Sequence, residues 1–162
     1  MKSFIIAFVF CLIASPVLAQ SPSNPSALLL QRGAGVEVIM SQKNYGMGIG
    51  GILAKGIGKK VDRSFTFGLY ADVFFMDHVA LGPRAKVSYN YLDFFGVNMN
   101  ASNWYSNGIN DFRITPEINL SFFSGIINVF FGRSISLSKS QIPEIGQYRV
   151  GLSLNLVGAE RE

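Results

Sequence analysis

One cysteine and one histidine in 162 residues leave little for metal or redox chemistry. A lone Cys builds neither a disulfide framework nor a Cys-rich metal site. A lone His argues against a His-based zinc or iron centre. Charge is scarce too, with 15% charged residues where a soluble domain has about 25%. The basic residues are scattered singly apart from Lys59-Lys60, and a nucleic-acid footprint would be clustered. Beyond the first 19 residues no apolar run approaches the length of a membrane helix. Disorder is excluded by what is abundant: 49% of residues are hydrophobic and 13% aromatic, with 14 Phe. The length suits one domain.

Lys2 precedes the apolar stretch Phe4 to Ala14, and Val17 and Ala19 occupy the small-residue positions before a cleavage point. These features predict a secretory signal peptide over 1–19, cut after Ala19. The apolar stretch is too short to span a bilayer, which takes about 20 residues. Cys11 lies inside it, so the exported chain would be free of Cys and of misdirected disulfides. Residues 20–33, with Ser21-Pro22-Ser23-Asn24-Pro25-Ser26, read as a flexible leader. The domain is expected over 34–158, with a short tail at 159–162.

Within that domain the sequence alternates. Between Val79 and Tyr91 one set is Val79, Leu81, Pro83, Ala85, Val87, Tyr89 and Tyr91. The other is Ala80, Gly82, Arg84, Lys86, Ser88 and Asn90. Asp111 to Phe122 and Tyr148 to Leu156 alternate as cleanly. A period of two belongs to two-faced strands, not helices. Ala34 to Gln42, Gly46 to Lys55, Ser64 to Phe75, Phe94 to Ala101 and Ile126 to Leu137 fit with more interruptions. The total is eight strands. Loop lengths check the register: Met76-Asp77-His78 and Leu92-Asp93-Phe94 give odd connections, and Ser124-Gly125 an even one. Longer connections are expected around Gly56 to Arg63, Ser102 to Asn110 and Ser138 to Gln147.

Alternation alone does not say which face is inside. A soluble exported barrel, lipocalin-like with an apolar ligand, would clothe its exterior in charge. Here the polar face is mostly Gly, Ser and Asn, which suits a narrow lumen. The aromatics Phe65, Phe75, Tyr89, Tyr91, Phe95, Phe112, Phe122 and Tyr148 fall near strand ends, as in the girdles of membrane barrels. On these residues the chain resembles the small eight-stranded outer-membrane β-barrels of Gram-negative envelopes, similar to the transmembrane domain of outer membrane protein A. The resemblance is architectural and covers the whole exported chain. It implies an all-β, antiparallel, up-and-down eight-stranded transmembrane barrel, monomeric, delivered by the barrel-assembly machinery and surrounded by outer-membrane lipid and lipopolysaccharide. Such chains usually end on an aromatic residue, whereas this one ends Ala159-Glu160-Arg161-Glu162.

Candidate chemistry is sparse. His78 beside Asp77 could serve a lipid-modifying enzyme, but it falls in a tight turn with no Ser nearby. Gly46 to Gly51 lacks the helix and Lys-Ser/Thr of a phosphate loop and reads as space-making Gly on the inner face. Asn103-Trp104-Tyr105 is expected in a loop, touching a ligand or the membrane interface. The polar face carries Glu37, Asp72, Asp111 and Glu117 against Arg84, Lys86, Arg113 and Arg149. Unpaired charges in a dry lumen are costly, so a structural ion-pair network is expected there; a proton or ion path is the sharper alternative. Strand parity puts Arg133 on the apolar face, where a guanidinium suits a lipopolysaccharide phosphate, unless a bulge at Gly132 turns it aside. No catalytic residue, cofactor, metal or nucleic acid is expected. The function read from sequence is a non-catalytic envelope barrel with a structural or adhesive role through its loops.

Overall fold

The computed structural model describes residues 30–42, 44–57, 63–91, 94–123 and 126–159. Expectations for the signal peptide, most of the leader, Lys59-Lys60, Leu92-Asp93, the Ser124-Gly125 turn and the last three residues lie outside them.

The described chain is all antiparallel strand. β1 is Leu30–Ser41, β2 Asn44–Ile57, β3 Arg63–Phe75, β4 Val79–Tyr91, β5 Phe95–Ser106 and β6 Ile109–Phe122. β7 is Ile127–Arg133, β8 Ile135–Ser136 and β9 Tyr148–Ala159. β8 continues β7 beyond Ser134 and pairs with the same neighbour, β6. The barrel therefore has eight walls, closed by β1 against β9. β1 begins four residues ahead of the expected Ala34, so residues 30–33 belong to the sheet and not to a leader.

Closure fixes the tilt. Paired residues lead once around the wall from Leu30 through Lys55, Phe65, Tyr89, Val97, Ile118, Phe131 and Val150 to Met40. The circuit returns to β1 ten residues further along. Ten residues of rise, about 33 Å, over a perimeter of eight strand spacings, about 38 Å, tilt the strands by about 40°.

The alternation resolves into an inverted barrel. Polar and charged side chains point inward and are buried, while large apolar ones from Val38 to Leu152 stand exposed outside. All eight aromatics expected near strand ends are among those exposed. Gly46, Gly48 and Gly50 face inward; a Cβ on Gly50 would run into the Leu69 carbonyl and the Tyr70 ring, whereas one on the outward Gly51 would meet open space.

Two prolines mark the lapses in the ladder. The β4–β5 pairing skips Gly82 and Pro83, and the β6 pairing with β7 and β8 skips Thr115 and Pro116. Proline has no N–H to give to a ladder. The register does not slip at the second lapse: Glu117 pairs Gly132 and Ile114 pairs Ile135, three residues apart on both strands. No bulge is inserted at Gly132, and Arg133 stands exposed on the outer face.

Most connections at the end remote from the termini are short. Met76-Asp77-His78 is the expected three-residue turn, with Phe75 paired to Val79. Asn107 (φ 50°) and Gly108 (φ 76°) form a two-residue turn with both residues left-handed. The long loop expected over Ser102 to Asn110 is thus absent. β5 runs through it, and Trp104 is an inward, 2% exposed residue rather than a loop tip. The 137–147 connection is the long one, and it folds into the barrel mouth.

Gly50→Ala should lower stability by about 1 to 3 kcal/mol through crowding against Tyr70. Gly51→Ala should leave the midpoint of urea unfolding nearly unchanged. A similar loss in both would reject the crowding argument.

Candidate functional site

The eight candidate lumen charges are all buried, at 0 to 7% exposure. They form two groups rather than one network. The central group lies where β1, β3, β4, β6 and β9 direct Glu37, Asp72, Arg84, Lys86, Glu117 and Arg149 inward. Arg84 Nε donates to Asp72 Oδ2 at 2.5 Å, and Nη2 to Glu37 Oε2 at 2.7 Å and Asp72 Oδ1 at 3.0 Å. Its Nη1 donates to Asn100 Oδ1 at 2.9 Å. Lys86 Nζ donates to the second Glu37 oxygen at 2.7 Å. Arg149 Nε lies 3.0 Å from Glu117 Oε1, and its Nη2 reaches Glu37 at 3.5 Å. Three carboxylates thus meet three cations, which removes the net buried charge.

Aromatic rings cover the cations. Arg84 lies 4.3 Å from the Tyr70 ring centre, Lys86 5.1 Å and Arg149 5.3 Å from that of Phe130. Such contacts gain strength away from water. The sequence reading missed Tyr70, Phe74, Trp104 and Phe130 as lumen residues. Their signal was available: Tyr70 and Phe74 share parity with Asp72.

The second group holds the mouth. Arg113 Nε donates to Asp111 Oδ2 at 2.8 Å. Its Nη1 donates to the carbonyl of Ile145 at 2.5 Å and of Gly146 at 3.2 Å, and Nη2 to that of Ile142 at 2.9 Å. Asp111 accepts the Ile142 N–H at 2.9 Å and the Ser136 hydroxyl at 2.6 Å. This latch pulls Ile142 and Ile145 against Ile39, Phe74, Ala80 and Trp104, making an apolar plug at that end. Phe74 and Trp104 meet edge to face at 4.9 Å.

Toward the other end the lumen is amide-rich. Asn119 Nδ2 donates to Asn90 Oδ1 at 2.9 Å, and Ser121 Oγ to Asn128 Oδ1 at 2.5 Å. A polar cavity of about 20 Å³ remains there, lined by Tyr70, Lys86, Ser88, Asn98 and Asn119 among others. That is room for about one water. Charge, ring and amide layers fill the lumen, so it offers an apolar ligand no chamber. His78 and Asp77 stand exposed in their turn, outside it.

Against known proteins, no family model, no curated protein and no solved structure matches this chain. The barrel architecture stands on the fold itself.

Removing Arg84 takes away the cation paired with buried Asp72 and one of the three around Glu37, so Arg84→Met should cost about 3 to 5 kcal/mol. A double-mutant cycle should couple Glu37→Gln more strongly to Arg84→Gln than to Arg149→Gln, in line with 2.7 Å against 3.5 Å. Equal coupling would contradict that ranking. Arg113→Met should free the latched loop and speed tryptic cleavage after Lys139; an unchanged cleavage rate would show that the latch does not hold it.

Proposed function

We propose that this chain is an exported, non-catalytic β-barrel of a Gram-negative outer membrane, structural in role, with lipid and lipopolysaccharide as its surroundings and the barrel-assembly machinery as its route of insertion. The observation that carries the reading is the inverted barrel with a bounded apolar band. Phe65 and Phe75 stand outward on one strand, ten residues apart. At a tilt of about 40° they are about 25 Å apart in height, the thickness of the apolar band of such barrels. Tyr45 and Phe75 pair at 5.5 Å at one end, and Phe94 and Phe122 at 6.1 Å at the other. Among the described strand residues the exposed charges are Arg32, Lys55, Arg63 and Arg133. The first three sit at the end that carries the termini, with Arg63 5.5 Å from the Tyr91 ring centre. Among these described residues only Arg133 interrupts the band.

The filled lumen favours a structural wall over a channel or an apolar-ligand carrier. Turns of two or three residues leave the 137–147 loop as the main surface for any adhesive contact at that end. The lipid-modifying alternative would rest on His78.

The folded protein should need detergent or lipid for solubility, show β circular dichroism, and migrate faster unboiled than boiled. A compact monomer, soluble without detergent, would reject the membrane reading. Lipid hydrolysis or acyl transfer that disappears in His78→Ala would reject the non-catalytic one.

A further inference from the structure

The outer wall is dented where β4 to β7 pass Pro116. A groove of about 540 Å³ lies there, walled by the apolar side chains Val97, Met99, Ile118 and Phe131, with Tyr89 toward the end that carries the termini. The dent follows from the sequence. Pro116 is short and outward, and it is flanked by the long Met99 on β5 and by Ile118 two residues along its own strand. Arg133, its register partner across the lapse in the ladder, closes the other end of the groove.

Arg133 is placed for a headgroup. It pairs with Tyr148, whose ring stacks on Phe131 at 6.2 Å. It lies four residues short of Leu137, about 10 Å below that level at the barrel's tilt. The long side chain can carry its charge part of the way to the interface. Among the described residues no carboxylate pairs with it. A lone cation on an apolar band is costly at a bilayer midplane and less so toward the interface. An anion brought by the surrounding lipid would offset that cost.

We propose that the Pro116 groove and Arg133 together form a site for one phosphorylated, acylated glycolipid, the lipid A portion of lipopolysaccharide. One acyl chain lies along the groove and a sugar phosphate accepts a bidentate pair of hydrogen bonds from Arg133. This rests on the outer-membrane reading: an even-walled barrel inserted from the periplasm keeps both termini there, so Arg133 belongs to the outer-leaflet half. That position selects lipid A over the glycerophospholipids of the inner leaflet.

The test uses the folded protein in a zwitterionic detergent, with unboiled gel mobility confirming that each variant is closed. Native mass spectrometry then measures retention of lipid A and, separately, of phosphatidylglycerol. The parent should hold one lipid A in preference to phosphatidylglycerol. Arg133→Gln should weaken that binding about tenfold. Pro116→Phe, which fills the groove and leaves the charge, should weaken it similarly, and Arg133→Lys less than Arg133→Gln. Equal retention of lipid A by the parent, Arg133→Gln and Pro116→Phe would overturn the site while leaving the membrane barrel intact. Equal retention of the two lipids by the parent would overturn the assignment to lipid A. A chain that is soluble without detergent would overturn the membrane reading on which the site depends.

Discussion

A guanidinium inside a closed eight-walled barrel has nowhere to take its hydrogen bonds except the other walls. Arg84 meets this constraint by joining β4 to Asp72 on β3, Glu37 on β1 and Asn100 on β5. Glu37 in turn holds Lys86 and touches Arg149. Through these bonds one side chain ties walls far apart in sequence, and the seam between first and last strands is drawn into the same cluster. The surrounding choices follow. Gly48 has no side chain because the Asp72–Arg84 pair occupies its space. Tyr70 lies over Arg84 because a flat ring covers a flat cation without asking for another hydrogen bond.

The register of the ladder explains why such a cluster can be dry. A tilt of about 40° brings inward residues from neighbouring strands to different heights, so side chains interleave and do not collide. Charge occupies the centre, apolar side chains the mouth, and amides the end with the termini. Each layer suits its exposure. The mouth, closed only by a loop, is sealed by apolar packing that needs no partner. The amide end tolerates water, which can satisfy groups such as Asn98 Oδ1 and Asn119 Oδ1 that find no protein partner.

Much of this was legible because a buried face enforces strict parity. Val79 to Tyr91 could be assigned residue by residue, and all eight lumen charges followed from counting odd and even positions. Pairing within the lumen was not legible, since it depends on shear. Glu37 and Arg149 reach each other across the seam, yet each has a closer partner, Arg84 or Lys86 for one and Glu117 for the other. Trp104 was lost for a different reason. A polar, aromatic stretch resembles a loop tip unless Asn107-Gly108 is recognised as a hairpin turn, whose two left-handed residues carry the strands right up to it. The division of the charges also escaped sequence reading. Asp111 and Arg113 share parity with Glu117, but their height on β6 brings Arg113 to the 142–146 carbonyls and Asp111 to the Ile142 N–H, away from Glu37.

The distribution of polarity bears on where this barrel can meet another molecule. Its lumen is occupied by its own side chains, its mouth is closed by a latched loop, and most turns at that end hold two or three residues. What remains accessible among the described residues, beside that loop's own outer surface, is the outer wall. A wall of alternating strands presents the same apolar surface all round unless something breaks it, and here the break has a covalent origin. A proline at position 116 removes both an N–H from the ladder and bulk from the surface. The same substitution in a soluble sheet would be a weak point at an edge. In a closed barrel the neighbouring walls carry the register past it, so the defect persists as a dent instead of an opening. Arg133 stands beside that dent as the residue facing Pro116 across the gap in the ladder. Local loss of backbone pairing and local exposure of charge therefore fall together on one face, at one register position.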